Sequence, residues 1–423
     1  MDFFLKNYIK FFIVAIVLAV FLWVLSPMVP VYGSDIKWYV AMAEGRFSEV
    51  IQPFSGRFLQ PFITGQISSY LELNLNQSFS IISIISLISF FIASAIFFKK
   101  ISQSPFFFIP IFLLPYFAGL FQATFLPDSF YLFLIALFFL FLIYRMETAS
   151  LLILFLLFLT RESTILLGLT LLIVSFLRSQ RILAIATFMV IALSVFTTYQ
   201  ISELGLPNVH NLSNLSYLIL KMPYNFFNNT FGIKLWVNTL PNLCEPISVL
   251  NIPQYIPIDP INKIGFCRFD ISAPIYTALV LSTTFGVMPL ILFYLLFSQF
   301  KLILRKFPLW LIVALIYGLA SYFMSIFVTG AVQRSIGYGW PAFLLAVPFL
   351  LAVFFQIDKR FLFKLSFVQI FIVWLPIIVE IRTIFGINIL WIVFPLISLA
   401  YFYAFYLLIQ QKKAPNSYSN AFL

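Results

Sequence analysis

Charge, histidine and cysteine are all scarce in this sequence. Of 423 residues only 9% are charged, His210 is the only histidine, and Cys244 and Cys267 are the only cysteines. So small a set gives no zinc-type spacing of Cys and His ligands. No Gly-x-x-x-x-Gly-Lys-Ser/Thr loop and no Gly-x-Gly-x-x-Gly turn occurs. Their absence removes the phosphate-loop and dinucleotide-binding classes, and most of the support for ATP-driven transport. With so little charge the chain also lacks the polar surface that coats a water-soluble globule.

What is abundant is apolar. Hydrophobic residues make up 62% of the chain, 56 residues are Phe, and the mean hydropathy is +1.06. Twelve hydrophobic segments fall at about 8–31, 77–98, 105–122, 129–144, 149–160, 164–177, 182–199, 275–298, 308–329, 339–356, 362–380 and 387–410. Runs of about 20 apolar residues cross a bilayer as helices, whereas a barrel would show short alternating segments. The expected fold class is therefore an all-α polytopic membrane protein. Its first segment is too long for a signal-peptide core and lacks a small-residue cleavage site, so it reads as a retained helix.

The net charge of +11 is informative through its placement. With the N-terminus in the cytoplasm, fifteen of the 25 basic residues fall on the inner side, joined only by Asp2, Glu147 and Asp358. That asymmetry fits the positive-inside rule, puts both termini in the cytoplasm, and gives no reason to invoke nucleic acid as a partner. Residues 1–199 read as an N-terminal membrane module whose first outer loop is 32–76. Residues 275–413 read as C-terminal transmembrane helices and 414–423 as a disordered tail.

Between the modules, 200–274 reads as one larger extracytoplasmic loop. Its ten Asn and eight Pro predict irregular structure with short helices at most. Both cysteines lie in it, and a Cys244–Cys267 disulfide is expected, adding about 3 kcal/mol in an oxidising compartment. His210, in the same loop, is not expected to be a ligand. In the first outer loop a short helix is expected to start at Ser34 with Asp35 in its first turn. A second, juxtamembrane helix is expected from about Arg57 to Leu73.

The segments 149–160 and 164–177 are too short to cross alone, at roughly 18 and 21 Å against a hydrocarbon core of about 30 Å. They meet at Thr160-Arg161-Glu162-Ser163, a charged turn that needs a partner or a cavity. Every prominent outer polar group lies next to a helix end: Asp35, Arg57, Asp128, Arg161, Glu162, Arg334 and Arg382. Carboxylates paired with arginines suit one task in particular. A carboxylate can deprotonate an acceptor while guanidinium forks hold a phosphate leaving group bidentately. Each residue also has a purely structural reading: Asp35 and Asp128 as caps of helix N-termini, Arg57 as an interfacial anchor, Arg161 with Glu162 as a snorkelling pair, and Arg334 or Arg382 as a partner of Glu380.

In order along the chain stand one spanning helix, Gly33-Ser34-Asp35, Trp38-Tyr39, Pro53-Phe54 and Arg57-x-Leu59-x-Pro61. Leu126-Pro127-Asp128, Phe158-Leu159-Thr160-Arg161-Glu162, and Arg334 before Trp340-Pro341 follow. This layout resembles the GT-C superfamily of membrane glycosyltransferases. The resemblance covers most of residues 1–200 and scattered positions beyond.

It implies an integral protein of a bacterial inner membrane that moves a sugar from a polyprenyl-phosphate donor to a glycan, lipid or protein acceptor on the outer face. Membrane lipids are its other partners. Asp35 falls at the general base, and Arg57, Arg161 and Arg334 at the donor phosphate, with Tyr39, Asp128, Glu162 and Arg382 as possible additions. No cofactor is required by this reading. The chain departs from some relatives in lacking a large soluble C-terminal domain and an Asp-x-Asp pair, and a divalent ion held by Asp35 with Asp128 or Glu162 is the less favoured variant. Two other functions compete: an O-antigen-type polymerase or ligase, with its arginines in 200–274, and a lipid-linked glycan flippase or transporter, which would line a central cavity from symmetric halves.

Overall fold

The protein is represented by a computed structural model that describes residues 2–29, 35–101, 111–207, 214–236, 256–259, 264–269, 272–328, 332–355, 359–378, 383–384 and 387–411. The chain is predominantly helical. Helix α1 (Asp2–Leu25) leads into the first loop, which carries α2 (Ile36–Ala43) and α3 (Leu59–Leu71). Then come α4 (Leu75–Lys100), α5 (Pro115–Leu120), α6 (Asp128–Ile143), the hairpin α7 (Glu147–Phe158) and α8 (Thr164–Leu177), and α9 (Arg181–Ser202). Helix α10 (Asn214–Phe231) precedes strands β1 (Ile233–Trp236), β2 (Ile256–Asp259) and β3 (Ile264–Phe269). The C-terminal part holds α11 (Ser272–Thr283), α12 (Met288–Lys306), α13 (Leu309–Val328), α14 (Val332–Gly337), α15 (Val347–Phe355), α16 (Lys359–Ile378) and α17 (Ile389–Gln411).

Among the described residues four helical spans are long and apolar enough to cross a membrane: Ile9–Met28, Leu75–Lys100, Arg181–Ser202 and Leu309–Phe327. Helices α11 and α12 make a fifth if they are one broken span, bent by 72°. The expected continuous segment 275–298 is thus two helices. The break falls at Gly286, whose backbone has φ +57°, and a Cβ there would run into the Gln369 side chain. Six further apolar helical stretches, of 10–17 residues, include α6, α7 and α8.

The helical class expected from the sequence holds, and the large outer region adds two features to it. Strands β1, β3 and β2 form a small three-stranded antiparallel sheet in that order. Among the described residues of the region α10 runs for 18 residues through Pro223, longer than the short helices expected there. Ile233 to Trp236 and Ile264 to Phe269 are rich in β-branched and aromatic residues, which favour strands over the turns suggested by nearby Asn and Pro. Cys244, His210, Arg382, Glu380 and the tail 414–423 lie outside the described residues, as does the Cys267 side chain, so the disulfide and Arg382 expectations fall there too.

Local chemistry accounts for the ordering of the site-bearing half. Asn74 and Gln77 form a capping box at the start of α4, and Lys99 and Lys100 complement its C-terminal dipole. Ser83 of α4 donates to Ser129 of α6 at 3.0 Å, fixing the register of this buried pair. Hydroxyls such as Thr160 and Thr170 satisfy themselves on the carbonyl four residues back. Between these helices and the C-terminal part, Phe90, Phe112, Phe117 and Trp340 pack edge-on or tilted, with ring centres 5.0–5.9 Å apart.

The two ends of the bundle differ. At one, Lys99 lies 5.5 Å from the Phe11 ring, Lys100 lies 5.0 Å from the Tyr144 ring, and Arg178 donates to the Phe307 carbonyl. At the other, the first loop is pinned to the end of α9 by Gln52 N–H to Leu206 O (2.9 Å) and Leu206 N–H to Val50 O (2.8 Å). The charged cluster lies at this second end.

Candidate active site

The start of α3 is tied to the turn between α7 and α8 by a hydrogen bond from Leu59 N–H to the Leu159 carbonyl, 3.2 Å. That bond brings Arg57 beside Glu162. Arg57 donates to both carboxylate oxygens of Glu162, with Nε to Oε2 at 2.8 Å, and to the Tyr39 hydroxyl at 3.1 Å. Its guanidinium stacks 4.9 Å from the Phe54 ring centre, and Phe54 is packed against Trp38 and Tyr39 of α2.

Deeper in, Asp128 opens α6 and is fully buried. Arg161 reaches its Oδ1 at 2.6 Å and Arg334 reaches its Oδ2 at 2.8 Å. The Tyr338 hydroxyl accepts from Arg161 and donates to Asp128. The Arg161 guanidinium also lies 4.8 Å from the Tyr338 ring, whose edge meets Tyr131 at 4.9 Å. Arg334 spans from Asp128 to Asp35, where Nη1 is 3.7 Å from Oδ2, beyond hydrogen-bond length.

Asp35, Tyr39, Arg57, Asp128, Arg161, Glu162 and Arg334 therefore gather from five separated stretches of chain into two neighbouring groups, Arg57 with Glu162 and Tyr39, and Asp128 with Arg161, Arg334 and Asp35. Several structural alternatives are overturned by it. Arg161 and Glu162 do not pair with each other; each turns to a different partner. Asp128 occupies the first turn of α6, but no backbone amide of that turn binds its carboxylate, which is committed to Arg161, Arg334 and Tyr338. Asp35 sits at the N-cap position of α2, one residue before the helix rather than in its first turn, and makes no side-chain cap bond.

The electrostatics follow from the pairing. Burying Arg161 and Arg334 without a counter-charge would be costly, and Asp128 removes that cost for both. Glu162 is surrounded by protein on its inner side, which pushes its carboxyl up, and the Arg57 guanidinium overrides this and holds it down at about 2. Because 51% of the Glu162 side-chain surface is open, the pair is screened and its contribution to stability is small. The sign follows from the depressed value: the contribution is complete above the ordinary glutamate value of 4.5 and is lost as pH falls through about 2. Comparing the melting of the native protein with Glu162→Gln should give a constant difference down to about pH 4.5 and a narrowing one below it. A difference that grew on acidification would contradict the pairing.

Asp128 is neutralised by Arg161 and Arg334, and among the described residues no group of three or more His, Cys, Asp or Glu is arranged to hold a metal. Tyr338 and Tyr131 are what sequence reasoning missed. Tyr338 lies one helical turn after Arg334, on the same face, which was the available signal. Tyr131, whose hydroxyl is 3.2 Å from Thr164 Oγ1, carried none. Comparison of the chain with protein-family models, with characterised proteins and with solved structures finds no match.

Proposed function

We propose that this protein is a membrane glycosyltransferase that moves a sugar from a polyprenyl-phosphate donor to a glycan, lipid or protein acceptor on the extracytoplasmic face, with inversion and with Asp35 as general base. The observation that carries this reading is the gathering of three carboxylates and three arginines, in two paired groups, at one end of an apolar bundle, opposite the end that gathers lysines. Asp35 suits the base because its side chain is 23% exposed while Asp128 is sealed, and because Glu162 is engaged on both oxygens. Direct displacement needs one carboxylate on the face opposite the leaving group, unlike a retaining glycosidase with two carboxylates about 5 Å apart.

Geometry adds a step. A base, an acceptor oxygen, an anomeric carbon and a phosphate-holding arginine in line span roughly 8–10 Å, whereas Asp35 and Arg334 are 3.7 Å apart. On this reading binding of the donor phosphate to Arg334 weakens the hold of that guanidinium on Asp35, and the carboxylate is released toward the acceptor. Arg334→Ala is expected to weaken donor binding about tenfold or more, and Arg334→Lys to rescue it only in part, because the planar fork is lost. Equal donor affinity in all three proteins would move the phosphate elsewhere.

Sidedness is tested separately. With Cys244 and Cys267 replaced by Ser, a Ser102→Cys protein should react with an impermeant thiol reagent only from the cytoplasmic side. Reaction from outside would put Asp35 on the wrong face for this function.

A further inference from the structure

A crevice opens beside the charged network, between the outer end of α1, helix α5 and helix α14. Its walls are apolar, formed by Val29, Leu120, Ala123 and Leu126, and its inner end is polar, formed by Tyr116 and Arg334 with Gln333 and Asp128. Two donors at that end have no hydrogen-bond partner although both are buried: the Tyr116 hydroxyl and Arg334 Nε. Tyr116 is 4% exposed, and the hydroxyl-bearing end of its ring lies against Gly337, where any Cβ would collide with it. A buried hydroxyl without a partner is costly, and a tyrosine held so closely in that state points to a ligand acceptor that completes it. Asp128, the one carboxylate at this end, is satisfied by Arg161, Arg334 and Tyr338 and faces the crevice as part of a neutralised group.

We infer that this crevice seats the phosphate and first apolar units of an isoprenyl monophosphate, with the Tyr116 hydroxyl and Arg334 as donors to the phosphate and Val29, Leu120, Ala123 and Leu126 against the chain. The inference rests on the donor class proposed above and assigns it a place, adding Tyr116 as a binding residue. An apolar lip ending in unpaired donors fits an amphiphile better than a free anion, which would leave the apolar wall unused. It also fits better than a neutral isoprenol, whose hydroxyl brings no charge to the guanidinium and so only the weaker, neutral kind of hydrogen bond.

The test uses the full chain in detergent, with a short isoprenyl monophosphate as probe and inorganic phosphate and the matching isoprenol as controls, read by titration calorimetry. The native protein should bind the monophosphate and bind each control at least tenfold more weakly. Tyr116→Phe removes only an oxygen that has no partner in the unliganded protein, so its melting should match the native protein while its affinity for the probe falls about tenfold or more. Ala123→Trp fills the crevice from its half-buried wall and should abolish binding. If both variants melt normally and bind the probe as the native protein does, the crevice is not the seat, and the glycosyltransferase reading stands with the phosphate elsewhere. If inorganic phosphate binds as well as the probe, the site is an anion site and the lipid assignment is wrong. If the native protein does not bind the monophosphate at all, the donor class itself fails.

Discussion

Replacing Asp128 with alanine is expected to destabilise the protein by about 3–5 kcal/mol, the usual cost of removing one partner from a buried ion pair. The reason is that one carboxylate serves two guanidinium groups and a phenol, all at least largely buried. Without it Arg161 and Arg334 face each other with no anion between them, and the Tyr338 hydroxyl loses its acceptor. Asn at the same position keeps the shape and one acceptor but not the charge, so it should fall between native and Ala. Adding Arg161→Met to Asp128→Ala should recover part of the loss, because the second change removes one of the stranded charges, and the two effects will not add. Thermal unfolding of the purified variants measures this. An Asp128→Ala protein within about 1 kcal/mol of native would mean that the network does not hold the bundle together.

The charged part of the site was legible in the sequence because charge is rare there. In a chain this apolar each outer carboxylate or guanidinium must find a partner, and Asp35, Arg57, Asp128, Arg161, Glu162 and Arg334 find one another. What was not legible is which pairs form. Arg161 and Glu162 are neighbours in sequence, yet the turn between α7 and α8 points them to opposite partners. Tyr338 and Tyr116 were hidden among 20 tyrosines that read equally well as interface residues. Hydropathy showed where the helices lie but not where a span breaks, so the segment 275–298 looked continuous across Gly286. It also could not reveal β3, whose pairing with β1 and β2 depends on residues distant in sequence.

The second large effect belongs to Asp35. Asp35→Asn preserves the shape of the side chain beside α2 and removes its basicity. Because Asn matches Asp in size and is as well suited to the N-cap position that Asp35 occupies, folding should change little. Sugar transfer should fall by about 10²–10⁴-fold, the range that a positioned general base supplies. Donor affinity should stay within a few-fold of native or rise, since Arg334 no longer has the Asp35 carboxylate competing with the phosphate. A purely structural Asp35 would show the reverse pattern, with a lower melting point and near-native transfer by the folded fraction.

The most direct measurement is a single-turnover assay with the purified full chain, a polyprenyl-phosphate sugar as donor and a mixture of lipid and glycan acceptors, run on native protein and on Asp35→Asn. The account predicts transfer by the native protein with inverted anomeric configuration, release of polyprenyl phosphate, and at least a hundredfold slower transfer by Asp35→Asn at saturating donor. Transfer by Asp35→Asn at the native rate, or a product of retained configuration, would contradict it.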